Sequence, residues 1–331
     1  MGDYKKDVIK FNSIVEILKE TYKFQGLWHF TDFTNLESIF NAGELSSRKI
    51  CDDNSVAFLD GANHDVINRA TEFVHSCTRF YYRPKTPTLY DNEGIKPFDY
   101  LQEVHIPRPV YLIFSEELIY DKDTIFSNGN ATNSPINNTA EFFGSMDWDS
   151  VFHSSRFNPE ERNYIVNKRH AELLSKKPVS LTYLIKIIFR SNADLKQAIR
   201  IWGEDSRYIV DEGCFSDKSN LLITDWRYNN YIKDYKIECK VNRLKLIIYL
   251  KRPVSSYKVS WSIEDSNGNN KTNLVEKTLD VKLKNMFNNE VKGLKYASMI
   301  KLIFNYNPLN GDIIRIYING ILSIEETVEI E

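Results

Sequence analysis

A histidine inside Leu27-Trp28-His29-Phe30-Thr31 and a glutamate inside His170-Ala171-Glu172-Leu173-Leu174 are the residues of this chain whose types and settings could do chemistry together. Each sits in a short apolar run of strand character. One imidazole and one glutamate, both delivered by strands, are the minimum needed to open a nicotinamide–ribose bond. Breaking that bond places positive charge on the ribose ring, so a fixed carboxylate beside the ring stabilises the transition state more than the ground state. The pair therefore suggests NAD⁺ chemistry.

Each residue also has a plainer reading. A neutral imidazole can donate and accept, which suits a ribose hydroxyl, yet a histidine of this kind, taken alone, is more often buried and satisfied by a carbonyl. Glu172 closes a charged segment and begins an apolar run, which desolvates one side of its carboxylate. That would let it accept from a ribose 2′-hydroxyl and take a proton from an attacking base nitrogen; by itself, a surface glutamate at a strand start is the commoner case. Tyr81 and Tyr82 occupy adjacent strand positions and must face opposite ways, one toward a cofactor and the other into the core, although aromatic-rich strands are usually core. The charged segment carries Arg156, Arg162, Lys168 and Arg169, with Trp148, Phe157 and Tyr164 interspersed. Basic side chains track phosphates and aromatics stack on unpaired bases, so it could receive single-stranded DNA. Glu160 and Glu161 share the stretch, and a salt-bridged helix is the alternative.

Composition narrows the field. With 331 residues and 42% hydrophobic content, two domains are expected rather than one, and disorder is excluded. A formal net charge of −2 gives no global attraction to a polyanion, so nucleic-acid contact requires a local basic surface. Cys51, Cys77, Cys214 and Cys239 form no C-x-x-C pair, which fits neither a zinc site nor a disulfide framework. We therefore expect no metal and a cytoplasmic location. No apolar run approaches the roughly 20 residues of a membrane helix, so no membrane partner is expected. No G-x-G-x-x-G follows a strand, which disfavours a dinucleotide-binding dehydrogenase.

The elements that must position these residues follow from periodicity. Val8, Phe11, Ile14, Val15 and Leu18 predict an amphipathic helix over 4–22, followed by a strand from Gly26 to Thr31. Thr34 and Glu37 have capping-box spacing for a short helix that Gly43 would close. Expected next are a helix over Val66 to Val74, a strand at Thr78 to Tyr82, and extended or turn backbone forced by Pro84 and Pro87. Pro109 to Phe114 reads as a buried strand, Ser127 to Asn138 as loop, and 156–169 as an exposed helix or ordered loop. Ser180 to Phe189 reads as one long strand, Ala193 to Ile201 as a helix, and Arg207 to Val210 as a strand. From Lys236 onward, alternating strands near Leu244–Leu250, Tyr257–Ile263, Leu274–Leu283, Met299–Phe304 and Ile313–Ile318 predict a β-sandwich. Asn267-Gly268, Asn310-Gly311 and Asn319-Gly320 are the dipeptides that tight hairpins favour.

Four ordered motifs resemble the DarT family of bacterial toxins, which ADP-ribosylate DNA bases, over roughly residues 25 to 225. They are His29-Phe30-Thr31 with Asn35-Leu36 and Gly43; Phe80 to Tyr90 with Asn92-Glu93-Gly94; Phe126 to Ala131; and Asp147-Trp148 leading to Ala171-Glu172-Leu173-Leu174. The resemblance implies that His29 and Thr31, with Phe30, Asn35, Gly43, Tyr81 and Tyr82 around them, hold NAD⁺ as substrate, and that Glu172 is catalytic. It implies a second catalytic group, an arginine early in the chain near the phosphates and reacting centre; Arg69 is the nearest by order, with Arg79 and Arg83 as rivals. It places Arg83, Trp148, Arg156, Arg162, Lys168 and Arg169 toward the nucleic acid. The string Phe80 to Gly94 is similar to the guanine-modifying branch rather than the thymine one, with Leu89 standing where that branch has a glutamine. A DarG-type macrodomain antitoxin is the implied partner, and growth arrest or phage defence the implied role.

The expectation is thus an α+β, ADP-ribosyltransferase-type split mixed β-sheet core with peripheral helices over 1–235, then an all-β sandwich accessory domain over 236–331. The predicted reaction transfers ADP-ribose from NAD⁺ to a base in single-stranded DNA, guanine favoured over thymine. The alternatives are transfer to RNA or protein, and a non-catalytic protein that binds nucleic acid or a partner.

Overall fold

The computed structural model describes residues 7–61, 70–96, 105–155, 158–216, 231–240, 242–251, 257–279, 284–285, 294–295, 299–305 and 307–330. By contacts the chain forms two compact units, Met1–Asp91 with Val110–Ile188, and Asn92–Pro109 with Phe189–Glu331.

The first unit is built on a mixed sheet whose strands are β1 (Leu27–Asp32), β2 (Thr78–Tyr81), β3 (Pro109–Phe114), β4 (Thr124–Ser127), β5 (Ile136–Asn137), β6 (Glu172–Ser175) and β7 (Leu184–Phe189), in the order β7-β3-β1-β2-β6-β4-β5. Every residue of β3 is buried, as its continuous apolar run requires. The antiparallel registers bring residues distant in sequence into rows. Phe80, Leu173 and Phe126 align across β2, β6 and β4, and the next row is Tyr81, Glu172 and Ser127. Paired residues share a face of the sheet, so the first row is core and the second lies on the other face. Helix α1 (Val8–Tyr22) covers the core row with Phe11, Val15 and Leu18; Phe11 lies 5.7 Å from Phe126 and 5.8 Å from Phe143, ring to ring. Its covering of that face leaves the Glu172 row on the opposite one.

Smaller elements frame this sheet: α2 (Leu36–Ala42), α3 (Arg48–Asp53), α4 (Glu72–Ser76), α5 (Pro87–Asn92), α6 (Ala140–Gly144), α7 (Trp148–Val151) and α8 (Arg162–Lys168). The expected capping box does not form. The Asp32 carboxylate accepts from the Thr34 N–H at 3.0 Å and opens a 3₁₀ turn at Phe33–Asn35, so the chain is already helical when it reaches Glu37. Gly43 does close α2 in a left-handed conformation, as expected. Most of the helix expected over Val66 to Val74 lies outside the described residues; α4 starts at Glu72, capped by Thr71. Pro87 is not an extended breaker but the first residue of α5, where its missing N–H costs nothing. The long strand expected over Ser180 to Phe189 is interrupted by a 3₁₀ turn at Leu181–Tyr183, capped by the Ser180 hydroxyl. The loop beginning at Ser127 contains Gly129 at φ +141°, a conformation that strains any residue with a Cβ.

In the second unit, helix α9 (Asn192–Trp202) begins at a Ser191 cap and precedes the short strand Tyr208–Val210. Then come β8 (Ile232–Lys240), β9 (Arg243–Leu250), β10 (Tyr257–Glu264), β11 (Asn270–Leu279), β12 (Met299–Phe304), β13 (Ile313–Ile318) and β14 (Ile321–Thr327). They form two antiparallel sheets, β8-β9-β12 and β11-β10-β13-β14. Leu244, Leu246, Ile248 and Leu302 of the first sheet and Val259, Ile263, Ile314, Ile316 and Ile324 of the second share one core cluster, which is the packing of a sandwich. Asn319 and Gly320 both have positive φ, at 51° and 81°, and make the tight β13–β14 hairpin. Asn310-Gly311 makes no hairpin, because β12 and β13 belong to different sheets.

Candidate active site

Glu172 is the first residue of β6 and is 0% exposed. Arg79 of β2 clasps it in a fork, Nε to Oε2 and Nη2 to Oε1, each at 2.6 Å. This is the short bidentate geometry of a charge-assisted pair. The Arg79 side chain is 31% exposed. Burial works against the Arg79 charge, but the Glu172 carboxylate outweighs it and holds the guanidinium pKa above its ordinary value. The Tyr82 hydroxyl donates to the Glu172 carbonyl at 3.3 Å, tying the start of the strand to the core.

Arg79 also anchors the histidine, through its backbone. His29 Nδ1 lies 3.0 Å from the Arg79 carbonyl. A carbonyl only accepts, so Nδ1 carries the proton and the lone pair sits on Nε2. Burial lowers the imidazole pKa to about 4, so the ring is neutral at physiological pH. The commoner fate of a lone histidine, satisfaction by a carbonyl, is realised at Nδ1, while Nε2 makes no hydrogen bond among the described residues. A histidine whose pKa is lowered by folding has a stability signature. Its folded pKa lies below the 6.5 of the unfolded chain, so its contribution is full above pH 6.5 and is lost as pH falls toward 4. Replacing His29 by Asn, which keeps a donor but does not titrate, will flatten the fall of melting temperature across that window. Thermal denaturation at stepped pH checks it, and a slope equal to that of the unmodified protein contradicts the assignment.

The strand opens beside this histidine. His29 and Phe30 are half-buried between buried neighbours. Phe30 stacks on Tyr81 at 5.7 Å with planes 13° apart, and His29 lies 6.4 Å from Phe30 at 17°, giving three nearly parallel rings. Tyr81 pairs in register with both Trp28 and Glu172. Burial, with help from the Glu172 charge, raises its hydroxyl pKa and keeps it a phenol. Tyr82 points the other way into the core, edge-on to Trp148 at 5.0 Å, as strand alternation requires.

The remaining expected cofactor residues hold the frame. The Asn35 amide nitrogen donates to Thr31 Oγ1 at 2.9 Å and to the Leu59 carbonyl at 3.0 Å, and its oxygen accepts from the Leu59 N–H at 2.8 Å. Asn35→Ala removes all three bonds and leaves buried groups unmatched, so a loss of about 1–3 kcal/mol is expected in urea denaturation. Gly43 ends α2.

Among the residues expected to meet nucleic acid, Arg162 is exposed on α8. Lys168 Nζ sits 5.3 Å from the centre of the Tyr164 ring and donates to the Asn128 carbonyl at 3.1 Å. Tyr164 is 54% exposed. Trp148 faces inward, with Tyr82 and Phe143 against its ring. Arg83 and Arg169 are gathered at one turn, described below. Arg69 and Arg156 lie outside the described residues. Among the described residues, the arginine that reaches Glu172 is Arg79, one of the rivals weighed from sequence. Strand identity in β2 could have favoured it: Arg79 and Tyr81 are two residues apart and so share a face. Among the described residues, no cluster of three or more His, Cys, Asp or Glu side chains could hold a metal, and no helix is long and apolar enough to cross a membrane.

A family model described as "ssDNA thymidine ADP-ribosyltransferase, DarT" matches residues 28–215. Among solved structures, the chain is similar to Thermus sp. 2.9 DarT in complex with ADP-ribosylated ssDNA, at 17% identity over 57% of this chain and 95% of that one, with a TM-score of 0.47. The same protein in complex with NAD⁺ gives 16% identity over 57% and 96%, with a TM-score of 0.45. Thermosipho africanus DarTG in complex with ADP-ribose gives 16% identity over 56% of this chain and 50% of that one, with a TM-score of 0.46. No curated protein matches the chain.

Proposed function

From the premise that this chain belongs to the DarT family, and so is an NAD⁺-dependent ADP-ribosyltransferase, we propose that it modifies guanine in single-stranded DNA with Glu172 as the catalytic carboxylate. The observation that carries the assignment is the single link Arg79, whose carbonyl fixes His29 while its guanidinium fixes a fully buried Glu172. NAD⁺ supplies the ADP-ribosyl group and the nicotinamide that leaves.

The donor set fits such a substrate. Neutral His29 offers Nε2 as an acceptor to a ribose hydroxyl. The parallel rings of Phe30 and Tyr81 offer an apolar wall for the nicotinamide, with Thr31, Asn35 and Gly43 keeping β1 and α2 in place. Glu172, once its oxygens exchange Arg79 for substrate, accepts from the ribose and takes the proton of the attacking base nitrogen at a carboxylate oxygen. Arg79, which forks Glu172, is the described arginine that this reading sets beside the reacting centre. Arg162 and Lys168, with Tyr164 between them on α8, supply charge and an exposed aromatic for an unpaired strand.

Guanine rests on the similarity of the Phe80 to Gly94 string to the guanine-modifying branch. Leu89, the departure from it, is 1% exposed within α5 and has a packing role. The toxin role, a DarG-type macrodomain antitoxin and a cytoplasmic site of action complete the reading, with residues 1–235 as the catalytic part and 236–331 as an accessory domain.

Labelled NAD⁺ offered with separate oligodeoxynucleotides of single-base composition, RNA and protein tests it. Label on guanine-containing single-stranded DNA is the expected result. Label confined to thymine removes the base assignment, and label confined to RNA or protein removes the acceptor.

A further inference from the structure

We propose that Arg83 and Arg169 form a cradle for a phosphate group, distinct from the Arg79–Glu172 pair. Arg83 is 8% exposed, and all its bonds go to backbone carbonyls: Pro84 at 3.1 Å, Val151 at 3.2 Å and His153 at 2.5 Å. Arg169 donates from Nη2 to the Lys85 carbonyl at 3.2 Å, and its Nε is buried with no partner among the described residues. Neither guanidinium pairs with a carboxylate among the described residues. The two therefore grip successive carbonyls of one turn. That turn is held by Lys85 in a left-handed conformation, φ 57°, with its N–H donating to the Tyr111 hydroxyl at 2.7 Å.

Burial, and then the neighbouring Arg169 charge, lower the Arg83 pKa to about 10, and burial lowers that of Arg169. Both remain cations at neutral pH. Two cations drawn out of water with dipoles but no negative charge around them form an arrangement that an entering anion stabilises. The planar guanidinium fork matches phosphate oxygens in bidentate geometry, and the charge of a phosphate answers two unpaired cations.

The location gives the cradle a use. Arg83 lies two residues beyond Tyr81, Arg169 three before Glu172, and Tyr81 and Glu172 are register partners. By chain reach, the backbones of the two arginines stand at most about 7–11 Å from the carboxylate row. On the proposed function, on which this placement rests, two phosphate sources are within reach: the diphosphate of NAD⁺ and a phosphodiester of the acceptor strand.

Binding read by calorimetry separates them without requiring turnover. The probes are inorganic pyrophosphate, NAD⁺ and a single-stranded oligodeoxynucleotide, and the variants are Arg169→Gln and Arg83→Lys, the latter keeping the charge but not the fork. At least one probe is expected to bind about ten- to a hundredfold more weakly to Arg169→Gln, whose ligand-free melting temperature rises as the like charge that acts on Arg83 disappears. Weakening of NAD⁺ together with pyrophosphate assigns the cradle to the diphosphate. Weakening of the oligonucleotide assigns it to the acceptor strand, and weakening of pyrophosphate alone supports the site with another phosphate donor. If both variants bind all three probes as the unmodified chain does, the cradle is refuted, even where transfer is impaired. Intact phosphate effects in a protein that transfers nothing would instead refute the reading of Glu172.

Discussion

Glu172→Gln abolishes transfer by about a hundred- to ten-thousandfold, the range expected when a positioned acid–base group is removed, while the protein stays folded and binds NAD⁺. The amide keeps the size of the carboxylate and can still accept from Arg79, so the fork weakens without leaving a void. It cannot take a proton from an attacking base nitrogen, and it carries no charge to stabilise the opening ribose bond. The check is nicotinamide release in the presence of single-stranded DNA, with a thermal melt and an NAD⁺ titration on the same preparation. Release within a few-fold of the unmodified rate would leave Glu172 as a structural acid and favour a protein that only binds.

Arg79→Met has the largest effect on stability. The substitution keeps apolar bulk but removes the counter-charge of a carboxylate that no water reaches. Breaking one side of a buried pair costs about 3–5 kcal/mol. About 3 kcal/mol is expected here, because part of the Arg79 side chain meets solvent. The double variant Arg79→Met with Glu172→Gln should recover much of that loss in urea denaturation, since the stranded charge is gone, without regaining transfer. A single variant as stable as the parent would mean that the fork is a weak surface contact.

Local pattern exposed more of the fold than of the site. α1, β1, β2 and β3 follow from periodicity and apolar runs, and Asn319-Gly320 makes the hairpin its dipeptide suggests. Where local reading failed, a nearer competitor usually intervened. Asp32 reached the Thr34 N–H before a Thr34–Glu37 box could form, and Ser180 capped a turn at the start of an apparent strand. The site depends on register between strands far apart in sequence, which no local window contains. His29 and Glu172 are each recognisable from neighbours, and Tyr81 and Tyr82 divide as alternation dictates. That Arg79, rather than Arg83, reaches the Glu172 carboxylate required knowing that β2 lies between β1 and β6. The inward turn of Trp148 was equally invisible, because an aromatic beside basic residues reads alike whether it meets a base or the underside of Tyr82.

Position 79 serves two masters by different means, and this shapes what a saturation library at its codon would reveal. The imidazole is moored to a peptide oxygen that every amino acid possesses, so that mooring is blind to the genotype there. The acid is moored to a side chain only arginine can present as a fork. Survivors of such a screen would therefore report on the carboxylate alone. The histidine's tether would surface only in experiments that alter the main chain itself, such as an amide-to-ester exchange or a displaced strand.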